Sequence, residues 1–189
     1  LRNREMQKMT DGNDSGTKIK ICGLRRREDI LAVNEAKPDY CGFIVEYPKS
    51  RRSIDRATLR ELVQGLREEI VPVGVFVNAP KELVADLLEE GTIQIAQLHG
   101  QESQEYIQEL KVLTEKPLIQ AFSIKSKEDV ERARESVADY ILLDQGSAQY
   151  SEPFRFSQIM PLQSVYPFSP FIRFSIVARS FALIDCLYS

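Results

Sequence analysis

The chain has 189 residues, of which 43% are hydrophobic and 28% charged, and a formal net charge of -3. That is the make-up of a soluble globular domain with one sizeable core, and the acidic balance argues against a nucleic-acid or membrane-surface protein, which needs a net basic face. Three cysteines (Cys22, Cys41, Cys186) and one histidine make neither a paired disulfide framework nor a zinc spacing, so a reducing cytosol, small-molecule ligands and no metal are expected.

Residues 1–16, "LRNREMQKMTDGNDSG", are polar and carry no apolar run of the signal-peptide kind, and they read as a loose extension. From Thr17 short apolar runs alternate with amphipathic charged ones: "KIKIC" then "RRREDILAVNEA", "DYCGFIVE" then "SIDRATLRELVQGLREE", "IVPVGVFVN" then "PKELVADLLEE". "TIQIAQLHG" leads to "ESQEYIQELKVLTE", "PLIQAFSI" to "KSKEDVERARES", and "DYILLDQGS" closes the series. The Val, Ile, Tyr and Phe runs predict strands, and apolar spacing such as Leu59, Leu62, Val63 and Leu66 predicts helices. Near-continuous hydrophobic strands belong to a parallel sheet covered by helices.

Two α/β architectures accommodate such a repeat, an open doubly wound sheet and a closed barrel. An open dinucleotide-binding sheet concentrates its signal in one glycine-rich turn, and "CGLRRR" has no GxGxxG. Polar residues instead recur at successive strand ends: Cys22 and Gly23, Glu46 to Arg52, Asn78, His99 and Gly100, Ser123, and Asp144. This favours a TIM-type (βα) barrel, whose chemistry gathers at the carboxyl ends of the strands.

Cys22 is a candidate nucleophile or general base, with a helix start and Arg25, Arg26 and Arg27 following it; a buried structural cysteine is the alternative. Asp144 ends an apolar strand, where desolvation would favour a general acid, although a turn or helix-cap aspartate has the same signature. His99 can orient a substrate or hold another side chain by hydrogen bonding. Arg51 and Arg52 in "YPKSRRSI" can grip an anionic group with a guanidinium fork, or form an ordinary solvated loop.

Taken in order and spacing, "KICGL", "GFIVEYPKSRRSI", "VGVFVN", "QLHG" and "YILLD" resemble the phosphoribosylanthranilate isomerase family of tryptophan biosynthesis over residues 17–147. The resemblance implies a (βα)8 TIM barrel in the cytoplasm, a small-molecule substrate, and no cofactor or metal. It also implies a monomer or homodimer, alone or joined to other tryptophan-pathway enzymes. The reaction implied is an Amadori rearrangement of N-(5-phosphoribosyl)anthranilate to 1-(2-carboxyphenylamino)-1-deoxyribulose 5-phosphate. Cys22 takes the place of the general base, Asp144 that of the general acid, and Arg52 that of the arginine on the anthranilate carboxylate. From its own position after a strand, His99 is expected among the substrate-binding residues.

After "LLDQGS" the family pattern stops. A glycine-rich phosphate loop and two further βα units are expected there, whereas all nine glycines lie at or before Gly146 and no lysine follows Lys127. Only six of eight barrel strands are recognisable, so the barrel is expected to be incomplete, with residues 148–189 as an atypical tail. The hypothesis that fits the abrupt change is a reading-frame shift near codon 147: a glycine-rich loop encoded in another frame would support it, and an intact family tail absent from every frame would sink it. Two alternatives to the isomerase stay open: another phosphate-binding barrel enzyme, and an inactive fragment without a phosphate site.

Overall fold

The computed structural model describes residues 18–124 and 126–144. The amino-terminal extension, the tail of residues 148–189 and Cys186 lie outside the described residues. Within them, strands and helices alternate along the chain. The strands are β1 (Lys20–Cys22), β2 (Tyr40–Val45), β3 (Ser53–Ile54), β4 (Val71–Phe76), β5 (Ile95–Leu98), β6 (Leu118–Ser123) and β7 (Tyr140–Asp144). The helices are α1 (Arg27–Ala36), α2 (Arg56–Gln64), α3 (Lys81–Glu89), α4 (Gln104–Leu113) and α5 (Lys127–Arg134).

The sheet has seven strands in the order β1-β2-β4-β5-β6-β7, with β3 pairing only with β2, and every pairing is parallel. Each crossover adds the next strand on the same side, so the order never reverses as it does in an open doubly wound sheet. Successive additions in one direction are how a barrel wall grows, as the sequence pattern predicts.

The helices begin and end where local chemistry dictates. Asp55 caps α2 by accepting from the Thr58 N–H at 2.8 Å, and Ser103 caps α4 by accepting from Tyr106 N–H at 3.2 Å. The Asp29 carboxylate accepts the backbone N–H groups of Arg25 (2.9 Å) and Arg26 (3.1 Å) and so anchors the start of α1. α1 stops at Lys37, whose φ of 50° is left-handed, because Pro38 cannot continue the helix.

In one respect the sequence expectation differs from the structure. "SIDRATLRELVQGLREE" reads as a single helix, yet Ser53 and Ile54 form β3 beside Ile44 and Val45. Asp55 caps only the turn that begins at Arg56, and Gly65 closes the helix at the other end.

The main core lies between the sheet and the helices. Phe43, Phe76, Leu59, Leu87, Leu88, Ile93, Ile107 and Leu110 are all fully buried there, and each large aliphatic side chain so buried contributes roughly 1.5–3 kcal/mol. Val73, Val75 and Ile95 are buried on the opposite, interior face.

Gly42 is the interior position that leaves room for function. A Cβ built on it would stand 2.5 Å from Cys22 Sγ and 2.8 Å from Lys20 Nζ. Gly42→Ala should therefore lower stability by about 1–3 kcal/mol through overpacking. Urea denaturation reads this directly, and an unchanged midpoint would mean that the space beside Cys22 is open.

Candidate active site at the carboxyl end of the sheet

In-register parallel pairing decides which side chains share the interior. Cys22 pairs with Gly42, Gly42 with Val73, and Val73 with Ile95. Two residues beyond Ile95, Gln97 pairs with Ile119, which pairs with Tyr140. Because side chains alternate with a period of two, Lys20, Cys22, Gln97 and Asp144 all belong to this one face. His99 joins them just past β5, where its N–H donates to the Phe76 carbonyl at 2.7 Å and continues the ladder.

Cys22 is half-buried at the end of β1, and the chain then turns through Gly23 with φ +91°. A side chain at Gly23 would be strained by that φ and would also meet the Cδ and Nη1 atoms of Arg52, each at 2.8 Å. The loop after β2 thus folds onto the loop after β1 and brings Arg52 next to the thiol-bearing turn. A second tie joins the same loops, Arg25 Nη1 donating to the Arg51 carbonyl at 3.1 Å. Within the loop, Tyr47 N–H donates to Ser53 Oγ at 2.7 Å and Arg52 N–H to Ser50 Oγ at 3.2 Å.

Of the other arginines after Cys22, Arg26 pairs with Asp29 (3.3 Å) and Arg27 with Glu61. Lys20 is the cation whose ammonium shares the space over Gly42 with the thiol. It is only 3% exposed, and its Nζ donates to Gln97 Oε1 at 2.8 Å.

From Gln97 a polar chain continues. Its Nε2 lies 2.7 Å from His99 Nδ1, and His99 Nε2 lies 3.5 Å from Asp144 Oδ2. The imidazole and the carboxylate are about one third and one quarter exposed, so both can be reached from solvent. The loop carrying His99 is itself pinned. Glu102 accepts the N–H groups of Asn78 (2.7 Å) and Gly100 (2.9 Å), and Gln101 N–H donates to Asn78 Oδ1 at 2.8 Å.

Four of the residues singled out in the sequence therefore fall into two neighbourhoods on one rim, Cys22 with Arg52 and His99 with Asp144, while Arg51 ties the two loops together through its carbonyl. Sequence reasoning passed over Lys20 and Gln97. A usable signal existed, because Lys20 stands two residues before Cys22 on β1 and Gln97 two residues before His99, which follows the end of β5, and a buried lysine is rare unless paired.

Cys41 is a different kind of thiol. It is fully buried in the layer under the helices, and burial pushes it up to about 12, only partly countered by the Lys20 charge.

The family profile described as N-(5'-phosphoribosyl)anthranilate (PRA) isomerase matches residues 19–166. The chain belongs to the phosphoribosylanthranilate isomerase family. The match runs past Ser147, where the motif resemblance ends. The chain is similar to an N-(5'-phosphoribosyl)anthranilate isomerase of Acetivibrio thermocellus, with 43% identity over 68% of this chain and 61% of the relative. It is similar to another from a Thermoanaerobacter species, with 42% identity over 67% of this chain and 60% of the relative. It thus spans about three fifths of the length of these curated relatives.

Among solved structures it resembles the phosphoribosylanthranilate isomerase of Thermotoga maritima, with a TM-score of 0.70 and 31% identity over 85% of this chain and 77% of the other. A TM-score of 0.67 and 31% identity relate it to a phosphoribosylanthranilate isomerase crystallised with reduced 1-(o-carboxyphenylamino)-1-deoxyribulose 5-phosphate, over 84% of this chain and 75% of that one. These neighbours make the described sheet part of a TIM barrel.

The contrast between the two cysteines is testable. With iodoacetamide at about pH 8, well below the value of about 12 for Cys41, peptide mapping should find Cys22 modified and Cys41 protected. Equal labelling of both in the folded chain would contradict the geometry. The shift also sets a sign. Folding holds the Cys41 proton, so its contribution is complete below the unfolded value of 9.0 and fades as pH rises from there toward 12. Thermal unfolding should show a shallower alkaline decline in Cys41→Ala than in the unaltered chain.

Proposed function

We propose that the chain converts N-(5-phosphoribosyl)anthranilate to 1-(2-carboxyphenylamino)-1-deoxyribulose 5-phosphate by general acid/base catalysis. The observation that carries this reading is the placement of Cys22 and Asp144 at the carboxyl ends of two different strands with both side chains on the interior face. Family membership supplies the reaction class.

Opening the furanose needs a proton on the ring oxygen, and Asp144 gives it. The resulting cation makes the C2 hydrogen acidic, and the Cys22 thiolate takes that proton with the Lys20 ammonium beside it as countercharge. Loss of the C2 proton leaves an enolamine, which becomes the aminoketose when a proton is added at C1 and the C2 hydroxyl gives up its own, so that C2 becomes the ketone carbon. Arg52 holds the anthranilate carboxylate through charge-assisted hydrogen bonds, and His99 keeps Asp144 oriented.

Each step is proton transfer or charge pairing by side chains of the chain, so the proposal includes no cofactor or metal. The proposal extends to a role in tryptophan biosynthesis in the cytoplasm, as a monomer or homodimer, alone or with other enzymes of that pathway. No helix among the described residues is long and apolar enough to cross a membrane. The domain reading belongs to the proposal as well: a polar extension over 1–16, the barrel portion over 17–147, and an atypical tail over 148–189, into whose first part, up to residue 166, the family match extends.

The decisive assay monitors the fluorescence of phosphoribosylanthranilate on adding the purified chain. Turnover should fall by about 10²–10⁴-fold in Cys22→Ala and in Asp144→Asn, whereas Arg52→Ala should act chiefly by raising KM. A folded chain with no turnover, or variants as active as the parent, would refute the assignment.

A further inference from the structure

We infer that Gln97, locked by Lys20, is a positioning residue that fixes which ring nitrogen of His99 carries the proton. The inference deepens the isomerase reading and rests on it for the catalytic consequence, but not for the tautomer itself.

Lysine offers only donors at Nζ, so the atom of Gln97 that faces it at 2.8 Å must be the amide oxygen. The amide nitrogen then points at His99 Nδ1, 2.7 Å away, and can only donate. Reversing the amide would set its NH2 against the ammonium. With Lys20 and Gln97 only 3% and 2% exposed, water could not relieve that clash of donors. His99 Nδ1 therefore presents its lone pair, the ring proton resides on Nε2, and this N–H faces Asp144 Oδ2 across 3.5 Å.

The chain of consequences runs from β1, through β5, to β7. A lysine in the first strand orients an amide, the amide selects a tautomer, and the tautomer directs a donor at the acid. When Asp144 gives its proton to the ring oxygen, a neutral N–H stands ready to support the carboxylate that forms. The opposite tautomer would aim a lone pair there and repel it.

The chain has one histidine, so labelling with ring-15N histidine gives a single pair of resonances with no assignment ambiguity. Long-range proton–nitrogen correlations, recorded about two units above the ordinary imidazole value of ~6.5, should show Nε2 protonated and Nδ1 bare in the unaltered chain. Gln97→Glu, whose carboxylate accepts from both Lys20 and the ring, should move the proton to Nδ1 and lower kcat more than it changes KM. Lys20→Met should leave the amide free to turn and give a mixture of tautomers. A protonated Nδ1 or a mixture in the unaltered chain overturns the inference, and so does an unchanged tautomer in folded Gln97→Glu. The expected tautomer in a chain without turnover would overturn the isomerase reading alone.

Discussion

In-register parallel pairing transmits the two-residue alternation of each strand to its neighbour, and every feature of the rim depends on that transmission. Cys22 and Gly42 face the interior together because they are paired, and Gln97 and Asp144 reach the same face through four further registers. A slip of one residue at any of these ladders would turn one side of the site outward into the helical layer. The fully buried contacts between sheet and helices oppose such a slip, because Phe43, Phe76, Leu87 and Leu110 would have to leave their places with it. The apolar layer thus fixes the geometry of the polar one.

The interior is unusual in what it buries. A lysine and a glutamine would be costly there singly, but joined end to end they satisfy each other, and the remaining amide nitrogen finds the imidazole. Gly42 is needed at the same place, because the thiol and the ammonium occupy the volume that a side chain would fill. The loops complete the site by similar economy. Gly23 permits both the turn after Cys22 and the close approach of Arg52, while Glu102 gathers the backbone of two successive loops and holds His99 in place.

Much of this was legible in the sequence, for identifiable reasons. Each long apolar run became a strand, because buried parallel strands leave continuous hydrophobic segments, and the polar residue ending each run marks the functional rim. Cys22, His99 and Asp144 come to one rim in that way, and Arg52 reaches it through the loop that follows β2. β3 was not, since two residues carry no periodicity and Asp55 announces a helix only after them. The Lys20–Gln97 bond escaped for a deeper reason. Its partners are 77 residues apart, and their meeting depends on which strands face one another across the interior. Only the spacing of each to a neighbouring site residue hinted at it.

The central claim is that one face, shared by strands far apart in the chain, holds an acid and a base on either side of a ribose. A crystal structure of this chain with reduced 1-(o-carboxyphenylamino)-1-deoxyribulose 5-phosphate tests it most directly. The account predicts the sugar carbons between Cys22 Sγ and the Asp144 carboxylate, with the aromatic carboxylate against Arg52. A ligand bound elsewhere, or one that leaves Cys22 and Asp144 on the same side of the sugar, would contradict it.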